Sequence, residues 1–73
     1  MLPNYTAIVQ QNGPWWIGWI EELRSVNSQG ATRDELLENL RSALAEVLEL
    51  NRQEAFSAAH GVYEEVSITC EAT

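Results

Sequence analysis

The segment from Gly30 to Leu40 constrains the fold of this chain most, because it predicts where a helix begins. Thr32 is a favourable N-cap residue, since its hydroxyl can accept a hydrogen bond from a free N–H of the first helical turn. Glu35, three residues later, can reach back to the Thr32 N–H and complete a capping box. Gly30 precedes the cap, where the chain must turn sharply, and glycine tolerates a positive φ there without steric cost. The segment therefore predicts the end of a strand, a tight turn and a helix.

The helix is expected to run from Arg33 to about Asn51, with an extension to Ala59 left open, and Gly61 is a plausible stop. Apolar residues recur at the spacing of one buried stripe, and they are Leu36, Leu37, Leu40, Ala43, Leu44, Val47 and Leu48. The opposite face is polar and mostly acidic, with Glu35, Glu38, Ser42, Glu46 and Glu49. One face is therefore expected to pack on a sheet, and the other to meet water or a partner.

Four further segments have the composition of strands, which are Tyr5–Gln11, Trp15–Ile20, Val26–Gln29 and Val62–Cys70. Asn12-Gly13 is a strong hairpin signal between the first two, and Pro14 is expected to start the second. The predicted order is strand, strand, strand, helix, strand, in one α+β domain that covers residues 1–73. The last strand is expected beside the first, or exchanged with a neighbouring subunit.

Both faces of the second strand are apolar, and it contains three tryptophans. The two rows are Trp15, Ile17 and Trp19 on one face, and Trp16, Gly18 and Ile20 on the other. Core packing is the simpler explanation of the tryptophans, but one helix can cover only one face of a sheet. At least one tryptophan is therefore a candidate for a protein–protein interface. The candidate contact residues are Trp15, Trp16, Trp19, Glu21 and Glu22.

Charge and composition exclude several functions. The net charge of -7 argues against direct nucleic-acid binding, which needs cations to meet phosphates, and favours association with a basic protein. No phosphate-binding loop, metal-ligand cluster or nucleophile–base pair can be assembled, so no catalytic, cofactor or metal site is predicted. A chain of 73 residues whose only cysteine is Cys70 cannot form an internal disulfide, so a partner or homo-oligomer is the expected source of stability. With no leader or apolar span, the protein is expected to be cytoplasmic.

An ordered set of short motifs resembles the HicB-type antitoxin domain over roughly Tyr5 to Leu48. The matching pieces are Tyr5-Thr6-Ala7-Ile8, Glu22-Leu23, Ser28-Gln29-Gly30, Thr32-Arg33, Asp34-Glu35 and Leu37-Glu38-Asn39-Leu40. The resemblance implies a partial ribonuclease-H-like sheet of strand order 3-2-1-4 with one main helix on one face. It also implies an antitoxin that binds a small basic RNA-cleaving toxin, HicA, and covers its active site.

The chain departs from that family in three respects. Arg24, Ser25 and Val26 stand where members often carry Pro, Gly and Cys or another apolar residue. The first strand contains no carboxylate, so nuclease activity is not expected. No basic DNA-binding segment follows the last predicted strand, so operator binding is not expected either. The alternative function is an orphan structural or assembly protein that associates with itself and has no toxin partner; a degenerate nuclease is the third and weakest hypothesis.

Overall fold

The computed structural model describes residues 4–69, which form three antiparallel strands followed by one long helix. The strands lie in the order β1-β2-β3, so that β2 is central. The α+β class and the three-strand meander are therefore confirmed. The elements are β1 (Ala7–Asn12), β2 (Trp15–Ile20), β3 (Leu23–Gly30) and α1 (Arg33–Ala58).

Two tight turns connect the strands. Asn12 pairs with Trp15, so the first hairpin loop is Gly13-Pro14, one residue later than the predicted Asn12-Gly13. Gly13 has a φ of 63°, which glycine adopts without steric cost, and Pro14 belongs to the loop rather than to β2.

The second turn is as short as the first. It consists of Glu21 and Glu22, and β3 begins at Leu23, three residues before the predicted start at Val26. The register of β2 and β3 shifts between Trp19 and Ile20.

The helix begins where the capping signal predicts. Thr32 has an extended backbone, and its Oγ1 accepts a hydrogen bond from the Glu35 N–H at 3.1 Å. The Thr32 carbonyl oxygen accepts the first helical bond, from the Leu36 N–H at 3.0 Å. A capping box has two hydrogen bonds, and within the described residues 32–35 only the one to the Thr32 hydroxyl forms. The predicted second bond, from the Thr32 N–H to the Glu35 carboxylate, does not form between these described residues.

Two of the glycines occupy positions where other atoms of the chain come too close for a side chain. Gly30 does not have a positive φ, so the turn does not use the freedom of glycine to adopt one. A Cβ at Gly30 would instead lie 2.6 Å from the Leu36 backbone nitrogen. A Cβ at Gly18 would lie 2.8 Å from the Ile8 carbonyl oxygen and 3.2 Å from a Leu40 methyl group. The absence of side chains at these two positions lets α1 lie directly on the sheet.

The core lies between one face of the sheet and the first half of α1. Its buried members are Ile20, Val26, Leu36 and Leu40. Half-buried side chains surround them, among them Ala7, Val9, Trp16, Leu23, Ala43, Leu44 and Val47. The second half of α1 extends past this core, and the radius of gyration is 15.5 Å, whereas a compact chain of this length has about 11 Å.

The predicted last strand is wrong over its described part, Val62 to Thr69, which forms no strand; Cys70 lies outside the described residues. The helix continues to Ala58, and Gly61 then takes a φ of 77°, which fits the predicted stop. The chain turns back so that the Tyr63 ring lies 5.9 Å from the Phe56 ring.

The length of α1 and this contact account for the error. Tyr63 contacts Phe56 near the end of the helix, and the apolar residues Val62, Val66 and Ile68 are exposed instead of paired with β1. The order 3-2-1-4 and a ribonuclease-H-like sheet are therefore not supported: the described sheet has three strands in the order β1-β2-β3, and residues 62–69 supply no fourth strand beside β1.

Candidate protein-binding surfaces

The face of the sheet that points away from α1 is covered by none of the described elements. A Cβ on Gly18 would point at Leu36 and Leu40, so Gly18 faces the helix. Side chains alternate along a strand, so Ile17 and Trp19 point to the opposite side. The strand register extends this assignment to β1 and β3. We call the resulting surface the open sheet face, and its residues are Ile8, Gln10, Asn12, Trp15, Ile17, Trp19, Asn27 and Gln29.

The open sheet face has an apolar centre. The Trp15 side chain is 48% exposed and Ile8 is 36% exposed, while Ile17 and Trp19 are half-buried. A shallow depression of about 390 Å³ lies beside them, and its lining includes Ile17, Trp19 and the amides of Asn27 and Gln29. The structure therefore brings together Trp15 and Trp19, two of the five candidate contact residues, on an uncovered surface.

None of the eight residues of the open sheet face is ionisable, but Arg24 follows the core-packed Leu23 in β3, is exposed, and places one positive charge at the border of the face. Its polar members are the amides of Gln10, Asn12, Asn27 and Gln29, and each amide side chain both donates and accepts hydrogen bonds. On a chain with a net charge of -7, this surface is electrically neutral. Sequence reasoning identified the tryptophan row but missed this neutrality, because the flanking amides are placed by the strand register.

Trp16 does not join the other two tryptophans. It lies on the helix side of β2, opposite Gly30, and is half-buried against the core. Its indole therefore contributes to packing between the sheet and α1.

The two candidate carboxylates of the β2–β3 turn differ in what they contact. The Glu22 carboxylate accepts a hydrogen bond from the Thr6 N–H at 2.8 Å, and the Glu21 N–H donates to the Thr6 carbonyl oxygen at 2.8 Å. The bond from the Thr6 N–H is the main reason that the pKa of Glu22 lies below its ordinary value. Glu22 thus closes the start of β1, whereas the Glu21 side chain is exposed. The partner, Thr6, is 16 residues away, so local sequence gave no signal of this bond.

The outward side of α1 is acidic, as predicted. We call it the acidic helix face, and its residues, all of them exposed, are Glu35, Glu38, Ser42, Glu46 and Glu49. At a rise of 1.5 Å per residue the face is about 21 Å long. It lies on the far side of the helix from the open sheet face.

A third surface lies near the end of α1. The Arg52 guanidinium carbon lies 4.8 Å from the centre of the Phe56 ring, and Tyr63 packs on the same ring. This cluster places Tyr63 beside the end of the helix. The spacing of four residues between Arg52 and Phe56 is the local signal for such a contact on a helix.

The described residues 4–69 contain no group of three His, Cys, Asp or Glu side chains that could hold a metal ion. In the same part of the chain, no helix has the length and apolar content needed to cross a bilayer. No family model, no curated protein and no solved structure matches this chain. The resemblance to HicB-type antitoxins therefore depends on its motif residues alone and stays a prediction.

Proposed function

We infer that this chain is an antitoxin-like binding module. It binds a small basic RNA-cleaving toxin of the HicA type and neutralises the toxin by covering its active site. Inhibition is stoichiometric, and the chain itself performs no catalysis. The proposal places both proteins in the cytoplasm, and it needs no fourth strand, since the surfaces it uses lie on β2, the β2–β3 turn and α1.

The observation that carries this proposal is the acidic helix face. A protein that cleaves RNA must present cations to the phosphates of its substrate. Four carboxylates spread along about 21 Å of one exposed helix surface offer those cations an alternative partner. A net charge of -7 also accelerates the encounter with a basic protein through long-range steering.

The motif that resembles the HicB family forms one local unit in this structure. The Asn39 side chain donates a hydrogen bond to the Gln29 carbonyl oxygen at 2.9 Å, which ties the helix to the end of β3. Thr32 caps the helix between them, and Gly30 allows the close approach. These roles explain why the motif pieces occur together, and they make the β3–α1 unit a scaffold for the acidic helix face.

Among the candidate contacts, Trp15, Trp19 and Glu21 have side chains that a toxin could reach, and they remain proposed contacts. Trp16 and Glu22 are proposed to contribute indirectly, because Trp16 packs on the core and Glu22 is bonded to Thr6. Variants at these two positions are expected to change stability as well as binding.

The proposal is tested by purifying the tagged chain from its native cells at moderate salt and identifying what stays bound. We expect a small basic protein in equal amount, whose cleavage of RNA is inhibited when the chain is added. The double variant Glu38→Gln/Glu46→Gln should bind this protein at least ten-fold more weakly, because it removes charge from the acidic helix face.

The matched control is Glu54→Gln/Glu64→Gln, which removes the same charge from exposed residues outside the acidic helix face and should bind as the parent does. Recovery of no basic partner would contradict the proposal, and so would equal losses in the two double variants. Metal-dependent RNA cleavage by the purified chain alone would instead revive the degenerate nuclease.

A further inference from the structure

We propose that the open sheet face binds a second copy of this chain, so that two sheets pack face to face with the helices outside. This contact rests on observations other than the acidic helix face, which carries the antitoxin proposal. The two proposals share Trp15 and Trp19, so a toxin that contacted these residues would compete with the second copy. An orphan assembly protein without a toxin would use the same contact.

Charge identifies the occupant of the open sheet face. Two copies that each carry a net charge of -7 repel one another, so they can meet closely only where their surfaces lack charge. The open sheet face has an uncharged centre and no carboxylate, with Arg24 at its border, whereas the acidic helix face would place carboxylates against carboxylates. A basic partner gains no Coulomb attraction from a surface without carboxylates, so a second copy fits this face better.

The shape of the face is also suited to a like copy. In a two-fold contact, a projection on each copy meets a depression on the other. Trp15 is the exposed projection, and the depression is lined by Ile17, Trp19, Asn27 and Gln29. The buried indole N–H of Trp15 would find acceptors in the amide oxygens of the facing copy. Asn and Gln side chains can pair with one another across the contact because each both donates and accepts.

The isolated chain exposes more surface than its size requires. Its accessible surface is 6349 Å² for 8.2 kDa, whereas a compact monomer of this mass exposes about 4,500 Å². Its core contains four buried side chains. Much of the excess surface belongs to the second half of α1 and to the segment after it, where Val62, Val66 and Ile68 are 67–102% exposed. The rest includes the open sheet face, with Trp15 and Ile8. Covering it would add a second apolar layer to a thin core.

The size of the face sets the expected strength of the contact. Three strands of about six residues cover roughly 15 by 20 Å, which is about 300 Å² in projection on each copy. The two faces together give about 600 Å² in projection, which is below the size of stable specific interfaces and in the class of weak, transient contacts. We therefore expect a dimer with a dissociation constant in the range of roughly 1–100 µM, in which the tryptophans provide most of the affinity.

Sedimentation equilibrium of the full chain over a concentration series tests the proposal. We expect the mass to rise from one copy to two, with the tryptophan emission moving to shorter wavelength as the indoles leave water. Trp15→Lys should weaken the dimer at least ten-fold. Because lysine lowers the net negative charge and so the repulsion between copies, such a loss cannot come from added repulsion.

The matched control is Leu50→Lys, which makes the same kind of change at a residue that is 57% exposed on α1 and should leave the dimer intact. Circular dichroism spectra should show that both variants fold. A chain that stays monomeric up to about 500 µM, well above the expected dissociation constant, overturns the proposal. A dimer that survives Trp15→Lys, or that Leu50→Lys weakens equally, also overturns it, because the contact then lies elsewhere.

Discussion

The open sheet face and the acidic helix face lie on opposite sides of a two-layer domain, and they differ in almost every property that governs binding. The open sheet face is flat, neutral and apolar at its centre, with Trp15 and Ile17 among its members. The acidic helix face is narrow and carries four carboxylates, of which Glu38 and Glu46 are examples. We propose a like chain for the first surface and an unlike, basic one for the second. The two layers of one very small domain can therefore differ enough in charge to suit different partners.

The largest expected effect comes from a substitution in the core, because both surfaces are lost when the domain unfolds. Leu36 is fully buried between sheet and helix, and Leu36→Ala should lower the free energy of unfolding by about 2–5 kcal/mol. Urea denaturation followed by circular dichroism measures the loss. Leu50→Ala, at an exposed position of the same helix, should change stability by less than about 0.5 kcal/mol. Equal losses in the two variants would show that the core is not where the structure places it.

A smaller change should destabilise the domain while leaving both surfaces in place. Thr32→Ala removes the hydroxyl that accepts from the Glu35 N–H and should cost about 1 kcal/mol. Thr32→Ser keeps the hydroxyl and should lie close to the parent. Thermal unfolding measures the difference, and dimer formation by the folded Thr32→Ala chain should be unchanged. If the alanine and serine variants are equally stable, the cap does not stabilise α1.

The smallest effect concerns pH and the turn beside the open sheet face. The folded-state pKa of Glu22 is lowered, chiefly by the hydrogen bond from the Thr6 N–H. A lowered pKa gives stability that is present above the unfolded-state value, near pH 4, and is lost as the pH falls through the folded-state value. Between pH 7 and pH 3, Glu22→Gln should therefore lose less thermal stability than the parent does. Glu21→Gln is the control and should follow the parent. Identical pH profiles for all three chains would contradict the role given to the Glu22–Thr6 bond.

Local signals predicted the parts of this fold that local chemistry determines. Thr32 starts the helix because its hydroxyl bonds a residue three positions away, and the bounds of β2 follow from an unbroken run of strand-forming residues. The separation of the two tryptophan rows followed from strand periodicity. Strand periodicity did not predict which side of the sheet α1 covers, because the sequence alone does not say which tryptophan row the helix meets.

The features that were missed or wrongly predicted involve residues that are brought together by tertiary structure. Gly30 is needed because the backbone of Leu36 approaches it, and a preference for positive φ could not reveal that approach. The last strand was predicted from alternating residues, but the extension of α1 to Ala58 and the contact of Tyr63 with Phe56 place Tyr63 beside the end of the helix. The resemblance to HicB-type antitoxins pointed to the same strand, so it could not correct the error.

The salt dependence of self-association tests most directly whether two copies meet through the uncharged open sheet face or through charged surfaces. Sedimentation equilibrium of the full chain would be measured at about 20 mM and about 500 mM NaCl, where the Debye length falls from roughly 20 Å to roughly 4 Å. A contact through the neutral open sheet face should strengthen at high salt, because screening reduces the repulsion between two chains of net charge -7. Weakening of the dimer at high salt would mean that ion pairs hold it together, and it would contradict the assignment of the neutral face to a second copy.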